Sequence, residues 1–563
     1  MSTFTVANTN NSGAGSLRQA VLNANALSGK DIINFAGLFN DGLAHTINLT
    51  GSGLSITDNL TIEGTNPSKL TIKDDSAARI FDIASGVTAA INGLTITNTY
   101  DGARGGGAIS NEGILTLNNT IIAGNTVTNK KVLNGGQQLG GEGGGIYSTG
   151  TLTLNYSTIS GNNIKNFTNT NSYSSITRGG GIYSAGNLTL NHSTISGNNV
   201  IYYDYSNQIG EGGGIYSTGN LTVENSTISG NTATSTEVLG FGEGGGIYST
   251  GNLTVEKSTI SGNSADNGGG INTGYVSYKL SILVENSTII DNTATYNGGA
   301  IYYNEGHTST VKVNSSTISG NLAIYDNGGA IWNGGLFTLN YSTISNNKEY
   351  GDFPGNANGG AGIYNIGTLS VNYSTISDNT ARANGGGIYN NGTLSVSHST
   401  ISDNTVFDRS GENDGGGGIA NDYNGTLSVN YSTISGNTAY FGGGIYNFGY
   451  RNNLFGTVIV SHSSITGNQA HFGSGIYNNG GSLTVGNSII KHNKAFGIEL
   501  SSGKFESGKG GGIYNSDSSY ATATLNYSTV ACNFDTPEED SNKIIKLDNL
   551  VGKFINKGSV VRV

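Results

Sequence analysis

From about residue 105 the chain alternates hydrophobic and polar residues in short bursts that recur at near-regular intervals. One copy reads Gly143-Gly144-Gly145-Ile146-Tyr147-Ser148-Thr149-Gly150-Thr151-Leu152-Thr153-Leu154-Asn155-Tyr156-Ser157-Thr158-Ile159-Ser160-Gly161-Asn162. Its Gly-Ile-Tyr, Leu-Thr-Leu and Ser-Thr-Ile-Ser segments each have period two and are bounded by Gly or Asn, which predicts strands and not helices. The isoleucine after the glycines returns at Ile109, Ile146, Ile182, Ile215, Ile247, Ile271, Ile301, Ile331, Ile363, Ile388, Ile419, Ile445, Ile476 and Ile513. That is fourteen copies at a mean period of about 31 residues, a solenoid spacing. One copy cannot bury its apolar face alone, but stacked copies share a core.

Three strands per copy, each pairing with its counterpart one copy later, define an all-β fold: a single-stranded right-handed parallel β-helix. At about 4.8 Å per coil, the fourteen copies predict a rod of about 65 Å. Ile146, Leu152, Leu154 and Ile159 and their equivalents are the expected core. An asparagine closes every third strand, as at Asn162, Asn198, Asn231 and Asn263. Asparagine tolerates left-handed turns, and stacked amides bond along a ladder, so this row is expected to be structural. The same row accounts for sequons such as Asn155-Tyr156-Ser157 without glycosylation.

The pattern changes at both ends. Residues 1–30 read as a cap, in which Leu17, Val21 and Ala24 share one face of a short helix. Residues 31–104 read as less regular coils, and 105–533 as the fourteen regular ones. In the charged segment 534–563, Ile544, Leu547, Leu550, Val551 and Phe554 follow helical spacing and predict an amphipathic cap or docking helix.

Composition narrows the class. Of 563 residues 91 are glycine, three are proline and one is cysteine; 11% are charged and the net charge is −11. This excludes collagen, a disulfide framework and an internal cysteine zinc site. No apolar run is long enough for a transmembrane helix, and the absence of a basic cluster argues against a nucleic-acid partner. The glycines fall in runs where a coil must bend tightly. Charge is scarce because a charged row would repeat every coil and repel itself.

Gly15-Ser16-Leu17-Arg18-Gln19-Ala20-Val21 resembles the CSLREAI-type N-terminal motif of bacterial β-helix surface proteins, with Gly15 in the place of cysteine. The unit at 434–445, Ile-Ser-Gly-Asn-Thr-Ala followed by the glycines and Ile445, resembles the repeats of polymorphic outer membrane proteins. The resemblance implies a pectin-lyase-like superfold at the cell surface or outside the cell. That superfamily holds adhesins, structural surface proteins and pectate-lyase-like enzymes. No C-terminal membrane barrel is legible in this chain. Nor is a basic or apolar leader legible at Met1–Val6, so export by a non-classical or C-terminal signal is expected.

Candidate chemistry is sparse. Pectate-lyase-like enzymes use clustered acids, calcium and a basic residue, whereas the outward strand positions here are Thr and Ser, as at Thr153, Thr189, Thr222, Ser370 and Ser395. No catalytic residue is assigned. One row differs: Glu142, Arg178, Glu211 and Glu243 precede the glycines of four consecutive copies. Arg178 is expected to pair with Glu142 and Glu211, while Glu211 and Glu243 would stand together as like charges that calcium would relieve. The same copies carry the longest insertions, with Tyr202, Tyr203, Tyr205 and Phe241, so recognition of a polysaccharide or protein is expected there first. The tyrosine after the core isoleucine is expected to point outward as an aromatic stripe. The position of Tyr156, His192, Lys257 and Tyr341 varies so freely that it reads as solvent-facing and not as a site.

These features fit a non-enzymatic adhesin, sheath component or self-assembling fibril subunit, whose partner is itself or a surface polysaccharide. The alternative is a polysaccharide lyase or hydrolase at the insertion side of residues 126–243.

Overall fold

A computed structural model describes residues 1–74, 78–100, 105–129, 141–166, 176–202, 209–235, 241–275, 278–304, 309–351, 359–407, 414–448, 454–499, 505–535, 546–547 and 549–562. The chain divides into two compact units, Met1–Gly274 and Tyr275–Val563. Both are stacks of right-handed parallel β-coils.

In the first unit the isoleucine strands form one parallel ladder. Leu54, Phe81, Ile109, Ile146, Ile182, Ile215, Ile247 and Ile271 stand in register through it. The Leu-Thr-Leu strands form a second ladder, as in Leu152↔Leu188↔Leu221↔Leu253. The Thr-Ile-Ser strands form a third, Thr158↔Thr194↔Thr227↔Thr259. Ile146, Leu152, Leu154 and Ile159 are all completely buried. Aliphatic side chains alternate inward on every strand, and each is covered by its equivalents on adjacent coils.

The N-terminal end begins with Thr3–Val6, paired in parallel with Asp31–Phe35. The helix Leu17–Asn25 follows and buries Leu17, Ala20, Val21 and Ala24. Ser16 starts it: its hydroxyl accepts from the Gln19 N–H at 3.2 Å and donates to the Gly13 carbonyl at 2.7 Å. Arg18 anchors the loop to the coil below through the Asn11 and Gly53 carbonyls, both at 3.2 Å.

The second unit repeats the three ladders. Ile301, Ile331, Ile363, Ile388, Ile419, Ile445, Ile476 and Ile513 are in register. Its end corrects the helical expectation for the charged segment. Leu550–Val551 pairs with the Ile513 strand, Ile555–Lys557 with the next and Val560–Arg562 with the third, so the segment builds one more coil. The three-to-four spacing of its apolar residues arises from very short strands separated by turns. Ile544 lies outside the described residues.

Two further findings amend the three-strand coil. A fourth short ladder follows the closing asparagine, Asn163–Asn166 to Asn199–Tyr202 to Thr232–Ser235 in the first unit. Thr380–Ala381 to Thr405–Val406 is its counterpart in the second. The corner before the serine row also takes the left-handed conformation in every regular coil. Tyr156, His192, Asn225 and Lys257 there have φ of 51°, 51°, 48° and 47°. For a side chain larger than glycine or asparagine this costs roughly 1–2 kcal/mol.

Glycine is required where the coil turns into the isoleucine strand. Gly212 has φ +70°, and a Cβ on it would collide with the Ile215 carbonyl oxygen. Opposite this bend the asparagine row closes the coil. The Asn162 N–H and Nδ2 donate to Asn198 Oδ1 at 3.0 and 2.8 Å, and Asn198 donates likewise to Asn231 at 3.0 and 2.9 Å. Nδ2 of Asn162 also reaches the Ile122 carbonyl at 3.0 Å. Asn231 continues to Asn263, both contacts at 2.9 Å. Each amide thereby satisfies buried backbone at a turn where no strand partner exists.

Candidate functional site

The insertions of the first unit leave and return as paired strands. Ile176–Arg178, Ile209–Glu211 and Phe241–Glu243 are the returning strands, stacked in parallel. This register sets Glu142, Arg178, Glu211, Glu243 and Asn267 in one column. Phe241 heads its strand and is 48% exposed. Tyr202 ends an outgoing strand, but its side chain, Tyr203 and Tyr205 lie outside the described residues. The structure therefore brings together Arg178, Glu211 and Glu243.

Arg178 is the hub. Its Nε donates to Glu211 Oε2 at 2.8 Å, and its Nη1 lies 3.6 Å from Glu142 Oε1. Its guanidinium carbon sits 5.0 Å from the centre of the Tyr216 ring. Burial works against the Arg178 charge, but the Glu211 hydrogen bond and the nearby negative groups outweigh it, so its pKa is raised.

Tyr147, Tyr183, Tyr216 and Tyr248 stack beside the column with centroids 5.0, 5.2 and 5.4 Å apart and planes within 10°. They correct the expectation of an outward stripe: Tyr216 is 5% and Tyr248 6% exposed. Alternation does turn these rings out of the core, but the returning insertion strands and Arg178 cover them. Burial, then Glu142, pushes the Tyr183 hydroxyl up to about 12. Burial and the neighbouring Glu211 push Tyr216 and Tyr248 further up.

Glu243 has no cation beside it in the column. Burial first, then the negative charges of Glu211 and Asp266, raises its pKa to about 7, while a hydrogen bond from Tyr248 pulls the other way. Asp266 is the member that the sequence reading missed. It immediately precedes Asn267, which pairs with Glu243, and its Oδ2 accepts the Gly242 N–H at 2.6 Å. Among the described residues no three Asp, Glu, His or Cys side chains are grouped to hold a metal ion. The column is thus unevenly compensated: Arg178 answers Glu142 and Glu211, while burial and the neighbouring acids raise the Glu243 carboxyl toward neutrality.

A family model for the Chlamydia polymorphic membrane protein repeat matches residues 286–304 and 373–391. Each matched stretch starts at the left-handed corner, runs through the serine and asparagine rows, and passes the glycine bend into the isoleucine strand. The chain is thus a parallel β-helix with repeats similar to that family's. No curated protein matches it.

Two solved structures are similar along nearly their whole length. The A-module of mannuronan C-5 epimerase AlgE6 from Azotobacter vinelandii is 10% identical, with 100% of this chain and 99% of that one covered and a TM-score of 0.24. A PL6 family alginate lyase is 10% identical, with 99% and 97% covered and a TM-score of 0.23. At these scores neither likeness bears on activity.

Proposed function

We propose that the protein is a non-enzymatic β-solenoid of the bacterial cell surface, a scaffold that presents repeated columns of side chains to a partner. The observation that carries this reading is the state of the charged column that precedes the glycines. Arg178 is committed to Glu211, Glu142 and the Tyr216 face, and the tyrosines behind it are covered. The groups that a lyase or hydrolase would need for proton transfer are used to close the coil stack. Surface placement is supported by the Chlamydia polymorphic membrane protein repeat in two coils. The test is protease shaving of intact cells of the source organism: release of peptides from this chain is expected, and complete protection until lysis would overturn the reading.

One observation favours the enzymatic alternative. A carboxyl that titrates near neutrality beside a tyrosine is the property of a general acid or base. If Glu243 serves a polysaccharide lyase or hydrolase, Glu243→Gln abolishes product formation on acidic polysaccharides. On the scaffold reading the wild-type protein releases neither unsaturated nor reducing ends. Calcium is the other counter-ion open to Glu211 and Glu243; bound there, it would lower the pH at which Glu243 titrates.

A further inference from the structure

Among the described residues, exposed aromatics line up at the left-handed corner and not at the tyrosine that follows the core isoleucine. Tyr156 and His192 stack there in the first unit, 4.8 Å apart, and in the second unit Tyr341, Tyr373, His398, Tyr431 and His462 occupy five consecutive coils. Successive ring centroids are 5.1, 4.8, 5.1 and 4.8 Å apart, and the planes lie within 12–19° of parallel. The corner stays open to solvent: Tyr341 is 65%, Tyr373 51% and Tyr431 53% exposed. Because the rings cover one another's faces, solvent meets a line of ring edges, each ending in a phenol hydroxyl or an imidazole nitrogen.

The fold does not ask for these rings. All five have φ between 48° and 50°, a conformation that asparagine adopts readily and bulky residues do not. Asn286 and Asn487 hold the same corner in the same unit at φ 49°. Five successive aromatics at such a position are a departure from the local preference, and departures of this kind mark functional surface.

The strip beside the rings is uncharged. On one side runs an amide row in which Asn340 Nδ2 donates to Asn314 at 2.9 Å, Asn372 donates to Asn340 at 3.0 Å, and the Ser461 hydroxyl donates to Asn430 at 2.9 Å. Beyond it the outward strand positions are Thr338, Ser370, Ser395 and Ser428, with Ile459 on the coil of His462. Ring edges, hydroxyls and amides without a formal charge are the chemistry that recognises sugar hydroxyls and C–H faces. Their repeat is close to the rise per sugar of an extended β-1,4-linked chain.

We infer that the corner of Tyr341, Tyr373, His398, Tyr431 and His462 is a binding ridge for an extended, uncharged β-linked glycan, one sugar per coil. This deepens the surface-scaffold reading by naming its ligand class, but it is tested on purified protein and so fails independently of where the protein resides.

The test is calorimetric titration of the full chain with cellohexaose and chitohexaose, with oligomannuronate as the anionic comparison. Binding to at least one neutral hexasaccharide is expected, with an affinity little changed by added salt. The variant Tyr373→Asn/His398→Asn/Tyr431→Asn, whose new residues suit the corner, should keep its circular dichroism spectrum and lose affinity by roughly a hundredfold. Tyr156→Asn, at the same corner of the first unit, should bind as wild type. No binding of either neutral probe, equal binding by the triple variant, or preference for oligomannuronate would each overturn the inference.

Discussion

The two units solve the same stacking problem with different side chains. In the first, the residue after the tyrosine is serine, and its hydroxyl turns back within its own coil. Ser184 donates to Gly186 at 3.0 Å, and Ser217 to Gly219 and Ser249 to Gly251 at 3.1 Å each. In the second it is asparagine from Asn333 onward, after Tyr303 in the first coil, and the amide reaches the next coil: Asn365 to Asn390 at 2.7 Å, Asn390 to Asn421 at 2.8 Å and Asn421 to Asn447 at 2.9 Å. Before the glycines the contrast recurs. The first unit has the Glu–Arg–Glu–Glu column, whereas the second begins with amides that accept backbone N–H groups, as Asn327 from Gly359 at 3.1 Å and Asn384 from Gly415 at 3.0 Å, and continues through Phe441 and Phe472.

The tyrosines are also covered differently. Arg178 lies over Tyr216 in the first unit. In the second, Tyr446 is 1% exposed beneath Phe448, with ring centroids 4.1 Å apart, and Tyr389 donates to Asp422. A column in this fold accepts any chemistry that finds its partner on its own coil or the next. An uncharged column does so by repetition. The charged column before the glycines alternates sign at Arg178, whereas Glu224 and Glu256, also in register on adjacent coils, end half-exposed strands where water and Lys257 offset their charge.

The two units agree at the asparagine ladder. Asn404 donates to the Ile376 carbonyl and to Asn437, and its Oδ1 accepts from the Asn379 backbone and side chain. Asn404→Ala leaves several of these buried groups without a partner and should cost about 3–5 kcal/mol in urea unfolding. A loss under about 1 kcal/mol would show that the ladder is dispensable.

Arg178→Met strikes the device peculiar to the first unit. It strands Glu211, whose side chain is 9% exposed, and should cost about 2–3 kcal/mol at pH 8 once the partial exposure of the arginine is allowed for. Arg178→Lys, which keeps the charge, should recover part of that loss; no recovery would show that Arg178 acts through packing alone. The smallest effect tests the exchange of devices. Asn390→Ser gives the second unit the serine of the first, and should cost only about 1 kcal/mol by thermal unfolding, because the hydroxyl can close on its own coil.

The strand ladders were legible because each apolar position is dictated twice, by alternation within a strand and by repetition between coils. The helix Leu17–Asn25 was legible from its buried face. What escaped was whatever depends on a neighbouring segment. Alternation shows that Tyr216 and Tyr446 leave the core, but not that Arg178 or Phe448 lies above them. The spacing of Leu547, Leu550 and Phe554 imitates a helix, and only Asn549, which extends the asparagine row by accepting from Asn533 at 2.9 Å, marks the segment as another coil. In the candidate site the Glu–Arg–Glu–Glu row could be read because it sits at one repeat position. Asp266 could not, being one residue out of that phase. The Tyr341–His462 ridge was hidden by variety at its position across the whole chain, which masks an unbroken aromatic run within one unit.

Side-chain columns hold the coils, and a raised pKa takes the place of the missing counter-charge at Glu243. Its folded pKa, raised above the ordinary value of 4.5 to about 7, makes the folded state bind more protons than the unfolded one between those pH values. Stability on this account falls as pH rises from about 4.5 through 7, by an amount on the order of 3 kcal/mol that Glu243→Gln removes. The direct measurement is the infrared carboxyl absorption of Glu243, isolated as the difference between wild type and Glu243→Gln across pH. A protonated carboxyl band that disappears with a midpoint near pH 7 is the predicted result. A midpoint near 4.5 would contradict the account.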